Sequence, residues 1–307
     1  MKFPSHWAPF LVAASATVVG LPLGATSAYA ATARPTVAPY SIRLEDQFLA
    51  DLHYLPVKFE TTTPPTSTTT TTSTTTTTTT TPGSTTSTTT TTTTVPTTST
   101  TVPTTTTTTT IPISPIKLRA GHFVWRFPSL PAVLRSQWRV GTLNVVLQGA
   151  LMRFQDDHGL ATTGQIDTLT WHTLTRAVLN HQNDPMSYNY VYVDKTEPEH
   201  LKLYENGRVA QTNLVNTGVS DAPTEDGTYP VYLRFTTTTM SGTLPDGTPY
   251  HDTGIPWVSY FHGGDALHGF IRDSYGWPQS LGCVEMTFAN AATLWPHTPI
   301  GTLVTVA

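Results

Sequence analysis

The chain has 307 residues, a formal charge of −4, only 12% charged side chains and a single cysteine. So little charge leaves no basic surface, and nucleic acid is excluded as an expected partner. Twenty-five prolines with sparse charge suit an exported protein.

Residues 1–30 read as a signal peptide. Lys2 supplies a positive start, Phe10 to Leu23 is mostly apolar, and Ala28-Tyr29-Ala30 fits small-x-small cleavage, so the mature chain is expected to begin near Ala31. Gly20, Pro22 and Gly24 interrupt a run already short for a spanning helix of about 20 residues. An uncleaved anchor is the alternative, and the one case in which this chain would meet a membrane. The expected location is cell wall, periplasm-equivalent or extracellular space.

In residues 31–60, Ile42, Leu44, Phe48, Leu49 and Leu52 fit one helix face, followed by a turn at "HYLPV". Residues 61–110 are almost all threonine and lack the apolar surface that offsets ordering entropy, so this tract is expected to be disordered. Ser/Thr-rich, Pro-bearing tracts are typical of O-glycosylated stalks. Stretched towards polyproline II, about 50 residues would reach on the order of 150 Å. In residues 111–184, "GHFVWRF" is a proline-bounded segment, Leu143 to Phe154 carry a helical pattern, "DDHGLATTGQID" is a loop and "TLTWHTLTRAVL" a further helix.

Phe154-Gln155, His158-Gly159-Leu160, Thr163-Gly164 with Asp167, and Thr170-Trp171 before Leu174 resemble the small three-helix peptidoglycan-binding module of cell-wall enzymes. His53-Tyr54-Leu55-Pro56 looks like the turn that closes that module's first helix. The resemblance implies that the threonine tract is inserted in the module's first loop. Loop-closure entropy rises only about 0.6 kcal/mol per doubling of length, so such an insertion need not unfold its host. The alternative is that residues 31–60 form a separate segment. Phe154, Leu160, Trp171 and Leu174 are core in either case.

From Tyr188 the pattern alternates apolar and polar residues, rich in Val, Tyr and Thr, with Asn206-Gly207 as a hairpin turn. Residues 185–307 are expected to form a β-rich domain with one short helix at "FANAATLW". An odd cysteine in an exported chain suggests an intermolecular bridge or a reactive thiol; the bland reading is a small buried hydrophobe. As a nucleophile, Cys283 would need a base, an orienting group and oxyanion donors. His251, His262 and His268 are the candidate bases. Gly282 permits a tight turn, with the Gly282 and Cys283 amides available to an oxyanion.

The ordered set "NTGVSDAPTEDGTYPV", His268-Gly269, "SLGCVE" and the closing "GTLVTV" resembles the L,D-transpeptidase catalytic domain. That resemblance implies a mostly-β sandwich in an α+β multidomain chain, and a thioester with the third-residue carbonyl of a peptidoglycan stem tetrapeptide. An amine of a neighbouring stem would then form a 3-3 cross-link, or a protein would be attached to the wall. It further implies Cys283 as nucleophile and His268 as base, with the ring held by a carbonyl such as that of Gly269 and the turn supported by Ser280. The sequence departs from the family pattern at Leu281, where histidine is usual, at Glu285, where arginine is usual, and at Glu225, where proline is usual. Arg272 is a candidate to supply the missing positive charge to substrate or to pair with Glu285. His262 and Tyr250 are candidate substrate contacts, with surface exposure and packing as their respective alternatives; Trp257 is expected to pack.

Three other readings compete. A metal site of His251, His262, His268 and Cys283 lacks the short ligand spacing of common zinc motifs. A non-catalytic wall-binding or stalk protein with a degenerate domain accommodates Leu281 and Glu285. An L,D-carboxypeptidase would use the same residues with water as acceptor. No cofactor is implied, and a monomer acting on peptidoglycan is expected.

Overall fold

The computed structural model describes residues 39–62 and 116–307. The expected signal peptide, and the threonine tract beyond residue 62, lie outside the described residues. All described residues fall within one unit, Thr36–Ala307.

The N-terminal region begins with α1 (Ile42–Asp51), whose first turn is capped by the Ser41 hydroxyl accepting from the Leu44 N–H. Strands β1 (Val57–Thr61) and β2 (Gly121–Trp125) follow and pair antiparallel, with Val57 opposite Trp125 and Thr61 opposite Gly121. Next come α2 (Ala132–Arg135), α3 (Val145–Asp157) and α4 (Thr168–Leu179). Asn144 caps α3 through the Val146 and Leu147 amides, and Asp167 caps α4 through the Thr170 amide. Leu49, Leu52, Leu134, Leu147, Phe154 and Leu174 share one buried cluster, and Phe48 stacks on Trp171 at 5.3 Å. Thus the segments on either side of the threonine tract build a common core. Among the described residues the region holds four helices and a β1–β2 ribbon where the resemblance implied three helices; the ribbon's strands lie 60 residues apart in the chain, beyond the reach of a local pattern.

The C-terminal region holds two sheets. One has the order β5-β4-β3-β11-β6, from β3 (Asn189–Asp194), β4 (His200–Glu205), β5 (Arg208–Leu214), β6 (Gly227–Pro230) and β11 (Leu303–Val306). The other runs β10-β9-β8-β7, from β7 (Leu233–Thr243), β8 (Pro249–His262), β9 (Asp265–Gly269) and β10 (Val284–Met286). Val191, Val193, Leu201, Leu203, Val304 and Val306 of the first sheet meet Phe261, Leu267, Val284 and Met286 of the second in one cluster, closed by Ala291 and Leu294 of α5 (Phe288–Leu294). Asn206 and Gly207 form the β4–β5 turn with φ of 48° and 78°, the left-handed pair that matches strand twist. The stretch "GTYPVYLRF" does not form one strand. Its chain changes sheets at Val231 and Tyr232, whose amides donate to Thr302 and Tyr260 carbonyls on opposite layers. Among the described residues no helix is long and apolar enough to cross a membrane.

Candidate active site

The site is built on β9 and β10, which run parallel with Leu267 opposite Val284 and His268 opposite Glu285. Strand side chains alternate between faces. Leu267, Val284 and Met286 therefore enter the core between the sheets, while Ala266, His268 and Glu285 share the other face. Cys283 immediately precedes β10 and falls on that same face, in an apolar cluster with Ala266, Val258, Tyr260 and Phe270. His268 and Cys283 are thus diagonal neighbours on adjacent strands.

His268 is 3% exposed, and its Nδ1 lies 3.0 Å from the Gly269 carbonyl oxygen. A carbonyl can only accept, so Nδ1 carries the proton. Burial holds the imidazole below its ordinary range, opposed by that hydrogen bond and by the Glu285 charge. A neutral ring with Nδ1 protonated leaves the Nε2 lone pair open to take a proton. Burial likewise pushes the Cys283 thiol up to about 12, with a lowering contribution from the Ala266 amide and raising ones from Asp265 and Glu285. In this state the sulfur keeps its proton, and Sγ sits 3.8 Å from the Gly264 carbonyl oxygen.

The turn before Cys283 is fixed by Ser280, whose hydroxyl donates to the Cys283 carbonyl at 2.5 Å and accepts from the Gly282 N–H at 3.2 Å. That second bond corrects the expectation that Gly282 offers its amide to an oxyanion: the N–H is turned to Ser280. Gly282 has φ of +110°, and a Cβ there would lie 2.4 Å from Asp265 Oδ1. Both strain and space exclude any other residue.

Arg272 donates from Nε and Nη2 to the two oxygens of Glu285, at 2.7 and 2.8 Å, and Nη2 also reaches the Gln279 carbonyl at 3.2 Å. The fork is therefore occupied by Glu285, the pairing that stood as the alternative to a substrate contact for Arg272. Its positive charge neutralises Glu285 directly across from His268. Tyr250 sits on the long β7–β8 hairpin opposite Gly242, and burial, followed by the Cys283 and Asp252 charges, raises its pKa. His262 is 41% exposed at its side chain; its Nδ1 is 3.7 Å from Asp265 Oδ2 and its ring lies 4.3 Å from that of Tyr229. Among the described residues, His251, His262, His268 and Cys283 are not gathered as a metal-ligand set.

Two residues escaped the sequence reading. Glu199, fully buried, accepts from the Thr217 amide at 2.7 Å and its hydroxyl at 2.6 Å, while Thr224 Oγ1 accepts from the Gly218 amide at 2.9 Å. These bonds fix the "NTG" segment, which bridges to the site through Asn216–Glu285 and Gly218–Ser280. The other is Asp265 at the start of β9, whose signal was a carboxylate three residues before a candidate base.

Residues 188–306 match the YkuD family, the L,D-transpeptidase catalytic domain. The C-terminal region therefore carries an L,D-transpeptidase-type catalytic domain. Solved structures similar to the chain include an L,D-transpeptidase from Mycobacterium smegmatis (19% identity, TM-score 0.36, 39% of this chain and 59% of that one). The catalytic domain of the E. faecium L,D-transpeptidase is 26% identical, with a TM-score of 0.36, over 40% of this chain and all of that one. The Ldtfm-avibactam carbamoyl enzyme is 19% identical, with a TM-score of 0.37, over 61% of this chain and 90% of that one. The chain thus spans 59% of the length of the mycobacterial enzyme. Comparison with curated proteins gives no match.

Proposed function

We propose that this protein is an exported cysteine L,D-transpeptidase that acts on peptidoglycan stem tetrapeptides. The observation that carries this reading is the placing of Cys283 and a neutral, Nδ1-protonated His268 on one face of two adjacent parallel strands, within a segment matching the transpeptidase family. Nε2 of His268 takes the thiol proton as sulfur attacks the third-residue carbonyl. With the Gly282 amide held by Ser280, the Cys283 amide is the donor the turn offers the oxyanion. The tetrahedral intermediate collapses to a thioester, and the imidazolium returns its proton to the departing D-alanine amine. A stem amine then displaces the thiol, giving a 3-3 cross-link or a protein joined to the wall.

A thiol pushed up to about 12 and an imidazole held low favour concerted proton transfer over a resting ion pair. Reaction with substrate then depends on His268 rather than on a preformed thiolate. Tyr250 and His262 are assigned to the substrate-facing wall. The helical region, with its resemblance to a peptidoglycan-binding module and the threonine tract inserted in it, holds the enzyme at the wall after export. The chain acts as a monomer.

The test is mass spectrometry of the purified protein incubated with disaccharide-tetrapeptide, beside Cys283→Ala. A dimer lacking one D-alanine is expected, with a thioester adduct on the wild type. The variant loses turnover on the order of 10⁴-fold or more, as for removal of a nucleophile. A folded wild-type protein giving neither adduct nor product would overturn the reading; a shortened monomer alone would redirect it to hydrolysis.

A further inference from the structure

We propose that Asp265 is the carboxylate that receives the acceptor amine in the second half-reaction. This rests on the transpeptidase reading and adds to it a residue that selects amine over water.

Asp265 opens β9, and its Oδ1 lies where only a glycine at 282 leaves room, directly behind the turn that carries Cys283. Its position is therefore set by the first residue of β9 packing against the turn that leads into β10. Five residues from separate segments of the chain bear on it. Glu225 offers its backbone N–H at 3.4 Å and a like charge; His262 of β8 stands 3.7 Å away; Tyr229 and Tyr232 both feel its charge, as does Cys283. Neither a lysine nor an arginine pairs with it among the described residues, for Lys195 is engaged by Asp226. Burial pushes its carboxyl up to about 6, so it is ionised at neutral pH but poorly compensated.

Such a charge hinders the first half-reaction, because it opposes development of negative charge on sulfur. The obstacle disappears once the sulfur is a neutral thioester. A primary ammonium arriving at that stage meets the carboxylate with its compensating charge, while water meets it with none. The docked ammonium first releases one proton to solvent, which exposes its lone pair; as the nitrogen bonds to the thioester carbon, it gives a second proton to Asp265. The carbon–sulfur bond breaks, the departing thiolate takes the proton from Asp265, and the products are an amide, a thiol and the original carboxylate. No other reactant is needed.

The experiment uses the full chain with disaccharide-tetrapeptide carrying diaminopimelate or lysine at its third position, and compares Asp265→Asn with wild type. Asparagine keeps an acceptor for the Glu225 amide but removes the charge. Thioester formation is expected to persist, while the ratio of cross-linked dimer to hydrolysed monomer falls about tenfold, the worth of one hydrogen bond to a charged group. An unchanged ratio with active wild type overturns the role of Asp265 and leaves the transpeptidase reading standing. Absence of thioester in the wild type removes both. Wild-type protein alone supplies a second measurement: the dimer-to-monomer ratio at fixed free-amine concentration falls as pH drops through about 6. A flat ratio there overturns the proposal whether or not the variant folds.

Discussion

Glu285 in the β-rich region and Glu45 in the helical region are both nearly removed from water, at 4% and 1% exposure, yet they are treated in opposite ways. Glu285 receives two hydrogen bonds from the Arg272 guanidinium and has its backbone tied to Asn216 on both sides. Glu45 receives one hydrogen bond from the Tyr40 hydroxyl at 3.0 Å, leaves Oε1 without a partner, and stands next to Asp46, whose Oδ1 is also unpartnered. A charge beside the proposed base, His268, must stay in place, and a bidentate pair holds it there. A charge in a helical core is under no such demand, so its titration passes into stability.

The largest effect is expected from breaking the compensated pair. Arg272→Ala leaves Glu285, with only 6% of its side chain exposed, without its cation at a cost of about 3 kcal/mol. Removing both partners is expected to cost less than the two single changes added together, as contacting charges are coupled. Denaturant midpoints of the three variants check this, and simple additivity would count against the coupling. The same change removes a positive neighbour of His268 and frees the Glu285 charge to act on it. The imidazole pKa rises, and the acid limb of the pH–rate profile moves to higher pH.

Next is Gly282→Ala, which sharpens the contrast by disturbing the turn while sparing both regions' cores. Its methyl meets Asp265 at 2.4 Å with φ of +110°, so the turn must shift. A displacement approaching 1 Å at Cys283, the proposed nucleophile, is expected to lower kcat by about 10²-fold. Steady-state kinetics measure it, with melting temperature as the control for global unfolding.

The sequence carried more of the β-rich region than of the pairings that complete it. Alternation and the Asn206-Gly207 turn located β4 and β5, whereas the motif at Ser280 to Glu285 named residues without the strand that sets them beside His268. The break between β6 and β7 was hidden because Val231 and Tyr232 continue the alternation while their amides go to different sheets. Pairing of β1 with β2 across the threonine tract, and the hold of Glu199 on Thr217, depend on residues distant in the chain. Likewise the Ser280 bond to the Gly282 amide could not be read from a motif that names residues without orienting their N–H groups.

The smallest effect concerns the uncompensated acids. Burial raises Glu45 to about 7 and Asp46 to about 6 from ordinary values of 4.5 and 3.8. The folded state therefore holds these protons more tightly than the unfolded chain does. Stability is fully favoured below the unfolded values and is lost as pH rises through 4 to 7. Glu45→Gln removes the larger part of that loss, because a neutral amide carries no ionisation to be buried. At pH 8 the variant is expected to be about 2 kcal/mol more stable than wild type, and at pH 4 the difference closes. Thermal melts across that window measure the two curves. If they run parallel, the neighbours of Glu45 compensate its charge after all, and the contrast with Glu285 would rest on geometry alone.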